Sequence, residues 1–175
     1  MSGWPRADTA EDAQIQSLHD ERRLVARLLR HWAEVATGRG FPRPMDIDPW
    51  MVGNDWTNCV LVAVKSPIEY SRFLVVGDNL LSAPSRALDG AAIACCPPST
   101  LAAAMLSNLA HVVSARRGLL IEGVAPHRGV AALYRGALLP LSEDGATIDH
   151  VLGAANHRLL RSDELHAESS RLFWL

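Results

Sequence analysis

The feature that most constrains this chain is a change of hydrophobic period near Thr57. Before it, Ile15, Leu18, Val25, Leu29 and Trp32 recur at helical three- and four-residue spacing, with Leu24, Leu28 and Val35 widening the stripe. After it, Cys59-Val60-Leu61-Val62-Ala63-Val64 is a β-branched run bounded by Asn58 and by Lys65-Ser66-Pro67. A helix spanning about Thr9 to Thr37, stopped by Gly38 and Gly40, must therefore lead into a sheet. The run 59–64 is apolar throughout, as expected of a strand covered on both faces.

The rest of the chain alternates in the same way. Glu69 to Val76 reads as a second strand joined to the first by Ser66-Pro67-Ile68. Phe41 to Pro44 reads as a linker, and Asp48-Pro49 as the start of a short helix ending near Gly53. Ser82 to Ala94, broken by Pro84 and Asp89-Gly90, reads as turns and short helices. Ser99 can cap a long helix from Thr100 to Arg117, with Gly118 as its end. Three strands follow: Leu119 to Ala125, Val130 to Leu141 and Thr147 to Ala155, separated by Pro126-His127-Arg128-Gly129 and Ser142-Glu143-Asp144-Gly145. The tail from Ser162 reads as polar and helical up to the apolar end Leu172-Phe173-Trp174-Leu175. Short links force antiparallel pairing everywhere except across the helical middle. The expected class is α+β, with an N-terminal helical extension over 1–40, a domain over 41–157 and a helical tail over 158–175.

Several pieces of this pattern resemble a bacterial family of small, single-domain PAS-like sensory proteins. They are Leu28-Leu29-Arg30-His31-Trp32, Gly38-Arg39, Pro42 and Asp46-Ile47-Asp48-Pro49, then Tyr70-Ser71-Arg72-Phe73 with Val76-Gly77, and Leu88-Asp89-Gly90. Tyr134-Arg135 and Leu139 to Gly145 complete the set, which covers about Leu24 to His157. The resemblance implies a PAS-like fold: a five-stranded antiparallel sheet, helices across one face, and a cavity between them. It also implies a sensory module that responds to a small molecule or a partner and signals through a separate output protein. Asp78 and Cys95-Cys96-Pro97-Pro98 depart from the family pattern near the expected cavity.

Composition excludes other classes. The net charge is −2 and no basic run exceeds two residues, so a nucleic-acid partner is not expected. No apolar stretch is long enough to span a bilayer, and Met1 to Glu11 lacks a signal-peptide layout, so the expected setting is the cytoplasm without a membrane. Cys59, Cys95 and Cys96 do not make a disulfide framework. Neither a Gly-x-Ser-x-Gly, a P-loop, a His-Glu-x-x-His nor a dinucleotide fingerprint occurs, so no enzyme and no cofactor are expected.

Candidate site residues follow from the faces. Leu101, Met105, Leu109, Val112 and Val113 share one side of the long helix, while His111 projects away from it, which argues against a haem ligand. No cysteine lies where a flavin adduct would need it, and the scattered histidines lack metal-ligand spacing. The expected ligand-facing residues are Leu74, Met105, Leu109, Tyr134 and His150. His150 is placed with Ile148 and Leu152. Of Tyr134 and Arg135 one must face inward, and an inward Arg135 would pair an anionic ligand. The wide N-terminal stripe is satisfied either by the domain's own sheet or by a second copy, and a homodimer through that helix is the expectation carried forward. Two rivals stand beside the sensor: a structural adaptor with a filled core, and a small enzyme using His150 with a nearby acid.

Overall fold

The structure, a computed structural model, describes residues 24–36, 38–48, 52–82, 88–161 and 171–175. A helix, α1, occupies residues 24–35. Gly38 takes a φ of +80°, the left-handed state that a helix-ending glycine supplies. Ile15 and Leu18, which belong to the expected seam, and Pro49, which belongs to the expected short helix, lie outside the described residues. The expected linker runs into a 3-10 turn, Pro44–Asp46, held by the Arg43 guanidinium on the Asp46 carboxylate at 2.8 Å. A second such turn, Gly53–Asn58, leads into the sheet.

Six antiparallel strands form one sheet in the order β2-β1-β5-β4-β3-β6. They are β1 Cys59–Ala63, β2 Arg72–Val76, β3 Leu119–His127, β4 Val130–Leu141, β5 His150–Leu159 and β6 Arg171–Trp174. Each expected strand exists, and the hairpin 59–76 and the meander 119–159 pair as the short links require. The β3–β4 turn is tighter than expected. Only Arg128 and Gly129 lie outside the strands, with φ of 51° and 82°, the paired left-handed state that two-residue hairpins favour. The β4–β5 turn is closed by the Asp144 carboxylate, which accepts from the Ala146 and Thr147 backbone N–H groups at 2.7 and 2.6 Å, so β5 begins at His150 and not at Thr147.

The expected long helix is two helices, α2 Leu101–Leu106 and α3 Leu109–Ala115. Thr100, not Ser99, caps the first, accepting from the Ala103 N–H at 3.2 Å. The break falls at Ser107-Asn108. The Ser107 hydroxyl donates to the Ala104 carbonyl at 2.8 Å and the Asn108 amide to the Met105 carbonyl at 3.4 Å, local bonds of the kind that compete with helix continuation. Arg116, in the left-handed region at φ 55°, ends α3. Gly118 serves packing: a Cβ there would lie 2.8 Å from the Leu175 Cδ1.

The largest correction concerns the layers. Val60, Val62, Phe73, Ile121, Leu138 and Val151 pack beneath α2 and α3, as expected. The opposite face is covered too: Leu24, Val25 and Leu28 of α1 bury against Cys59, Ala137, Leu139, Leu141, Leu152 and Ala154. Helices therefore lie on both faces of the sheet. The described part of the N-terminal stripe is satisfied in cis, and the Trp32 indole N–H donates to the Pro140 carbonyl at 2.9 Å. The expected helical tail also ends as a strand. β6 pairs Leu119 with Trp174 through Glu122 with Arg171, a sixth strand where five were expected. Both terminal extensions thus contribute to the sheet and core that the boundaries at 40 and 157 were meant to delimit.

Candidate functional site

β3 and β4 alternate their side chains between the two covered faces. Tyr134 is 4% exposed and faces α2 and α3, whereas Arg135 faces the α1 layer. Because both faces are covered, the alternatives at this pair collapse: both residues point inward, to different layers. Burial raises the Tyr134 phenol above its ordinary pKa.

On the α1 face the layers do not close completely. A pocket of about 270 Å³ lies between α1, the sheet and β6, lined by Val25, Leu29, Leu120, Glu122, Arg135 and Phe173. Ala26 and Phe173 are exposed and mark its mouth. The Arg135 Nε donates to the Glu122 Oε1 at 2.9 Å across the β3–β4 ladder, where the two residues are direct partners. The Arg135 Nη1 is buried and has no hydrogen-bond partner. An apolar pocket with one guanidinium nitrogen left unpaired in its wall has the make-up of a small-molecule site.

The five expected ligand-facing residues do not converge there. Met105 and Leu109 face the sheet as expected, but they are fully buried parts of the packed core under α2 and α3. The Met105 Cε would lie 3.2 Å from a Cβ built on Gly153, so its tip fills the space above β5. Tyr134 joins the same core. Leu74 is 49% exposed; its neighbour Phe73 supplies the core side of β2, so Leu74 turns away from α2 and α3. His150 shares the face of Leu152, the α1 side, while Ile148 belongs to the core under α2 and α3, because the strand begins only at His150. The His150 Nδ1 lies 2.7 Å from the Asp149 Oδ1, and the other Asp149 oxygen accepts from the Glu143 N–H at 3.0 Å. The histidine–acid pair closes a turn.

One residue escaped the sequence reading altogether. His127, expected in a turn, is the last residue of β3 and is fully buried, with neither ring nitrogen hydrogen-bonded. Its ring meets that of His157 edge-on at 4.5 Å between centroids. Burial, with smaller contributions from His157 and Arg128, lowers its pKa to about 4, and burial lowers that of His157 as well. The alternation of β3 would have found it, had the strand been extended past Pro126.

His111 is exposed on α3. Cys59 is buried, its thiol pushed up to about 12 chiefly by burial, and burial also raises that of Cys96. Among the described residues no group of three or more His, Cys, Asp or Glu is placed to hold a metal ion, and no helix is long and apolar enough to cross a membrane.

No protein-family profile matches the chain, and no curated protein sequence matches it. Among solved structures, that of a fungal LOV domain photoreceptor, linked to a pathway integrating blue light and oxidative stress, aligns at 14% identity. The alignment covers 64% of this chain and 81% of that one, with a TM-score of 0.39. At that score no residue and no chemistry carries over. The class rests instead on the chain's own architecture: an α+β domain, in which a helical crossover of α2 and α3 joins a hairpin to a three-stranded meander in one antiparallel sheet. Beyond that class, β6 and the α1 layer are this chain's own additions to the expected five-stranded core.

Proposed function

We propose that this protein is a PAS-type sensory module that binds a small molecule under α1 and signals without turnover through a separate output protein. The observation that carries the proposal is the pocket of about 270 Å³ roofed by α1. A ligand there touches Val25 and Leu29 on one side and the sheet on the other, so occupancy changes what holds α1 down. Arg30, Ala33 and Glu34 on the outward side of that helix are exposed and face any partner. The setting is cytoplasmic in this reading, and the histidine–acid pair at 149–150 is structural, so no catalysis is assigned to it.

The adaptor reading draws on a specific observation, the filled core at Met105, Leu109 and Gly153. It predicts that nothing binds on either face. Native mass spectrometry of freshly purified protein, followed by hydrogen exchange with and without the retained molecule, separates the two. Slowed exchange within residues 24–35 on binding supports the sensor. Protein that retains nothing, or a ligand that protects Leu101 to Ala115 instead, overturns it.

A further inference from the structure

We infer that the pocket under α1 takes a small organic anion, a monocarboxylate with an apolar body, seated with its carboxylate on Arg135. The inference rests on the proposal that this pocket is the ligand site. Three observations set the chemistry. First, the Arg135 Nη1 is buried without a partner while the Nε is engaged by Glu122. A buried N–H of a cation is costly to leave unmade, and an ionised oxygen is its strongest acceptor.

Second, the strand register places charges in a row. Asn156 lies opposite Arg135 on β5, Arg135 opposite Glu122 on β3, and Glu122 opposite Arg171 on β6. Arg135 and Glu122 balance one another and Asn156 adds no charge, so no surplus negative charge of these three residues opposes an anion. An anion gains a charge-assisted bond to the guanidinium; an amine is repelled by it.

Third, the remaining walls are apolar: Val25, Leu29, Leu120 and Phe173. A bare inorganic anion would leave those walls in contact with water, whereas an acyl or aryl body covers them. At about 270 Å³ the pocket lies just below the usual size of ligand sites, which selects a small molecule. Exposed Ala26 and half-exposed Phe173 leave the far end open to solvent, so the body enters from there with the carboxylate innermost.

The test uses octanoate, octanol and octylamine against the full chain, with isothermal titration calorimetry as readout. Octanoate should bind, octanol should bind about tenfold or more weakly, and octylamine should not bind measurably. Arg135→Met should remove the preference for octanoate over octanol. If Arg135→Met proves unfolded by circular dichroism, Arg135→Lys serves: it keeps the charge but loses the planar fork, so it should weaken octanoate while retaining the preference over octanol. Ala26→Trp, which plugs the mouth, should abolish binding of all three. Equal binding of octanoate and octanol, or preference for octylamine, overturns the anion class and leaves the pocket as the ligand site. Binding unaffected by Ala26→Trp overturns the pocket itself. No binding by any of the three overturns the anion class; a different retained molecule that slows exchange at 24–35 then preserves the sensor proposal.

Discussion

Gly153→Ala puts a methyl group into a tightly packed point of the sheet. Gly153 sits at the middle of β5, opposite Val60 on β1 and Leu138 on β4. A Cβ built there meets the Val60 Cγ1 at 2.7 Å, the Leu138 Cδ2 at 3.0 Å and the Met105 Cε at 3.2 Å. Overpacking of this kind costs about 1–3 kcal/mol. Replacing glycine within a strand returns about 0.5–1 kcal/mol of backbone entropy. The net loss should be near 1 kcal/mol, or about 2–4 °C in melting temperature for a chain of this length. Val60→Ala alone should cost roughly 2–3 kcal/mol, since its side chain is wholly buried. The double variant should fall short of the sum by about 1 kcal/mol, because the truncated side chain carried the closest clash. Urea denaturation followed by far-ultraviolet circular dichroism, with unchanged m, gives all four stabilities. A neutral or stabilising Gly153→Ala, or strict additivity, would refute the filled core and restore a cavity beneath α2 and α3.

Three further outcomes follow from particular groups. His127 has a folded pKa lowered to about 4 from an ordinary 6.5, so the unfolded chain binds its proton more readily. Its contribution is complete above pH 6.5, is lost as pH falls toward 4, and stays lost below that; in urea melts across this window His127→Phe should flatten the slope. Val25→Glu should destabilise the fold by burying a charge against the sheet, whereas Leu18→Glu should leave it folded and turn the homodimer expected from the N-terminal stripe into a monomer; a wild type that is monomeric at high micromolar concentration by analytical ultracentrifugation would remove that expectation. Deleting residues 171–175 uncovers the β3 edge and Gly118, and should lower the melting temperature and promote aggregation, as read by light scattering.

What the sequence determined was everything that depends on local pattern. The period change at Thr57, the apolar run 59–64 and the glycine-bearing turns at 129 and 145 placed the five core strands, because alternation and turn chemistry act over a few residues. Single side-chain competitions already shifted boundaries: Ser107 and Asn108 split a helix whose apolar stripe runs through both halves unbroken. Only the tertiary structure decided which layer each face meets. The stripe of Leu24, Val25 and Leu28 required a partner, but its pattern is the same whether that partner is a sheet in cis or another chain. Arg171 to Trp174 became a strand because β3 offered an open edge, a non-local hydrogen-bonding opportunity that no propensity records. Leu74 and His150 were misplaced by one face for the same reason: a strand's period says that neighbours alternate, and burial against a particular helix says which of them is inside. Arg135 sits in the candidate site because α1 covers the second face of the sheet and leaves a gap beside β6, a fact of packing between segments more than a hundred residues apart in the chain.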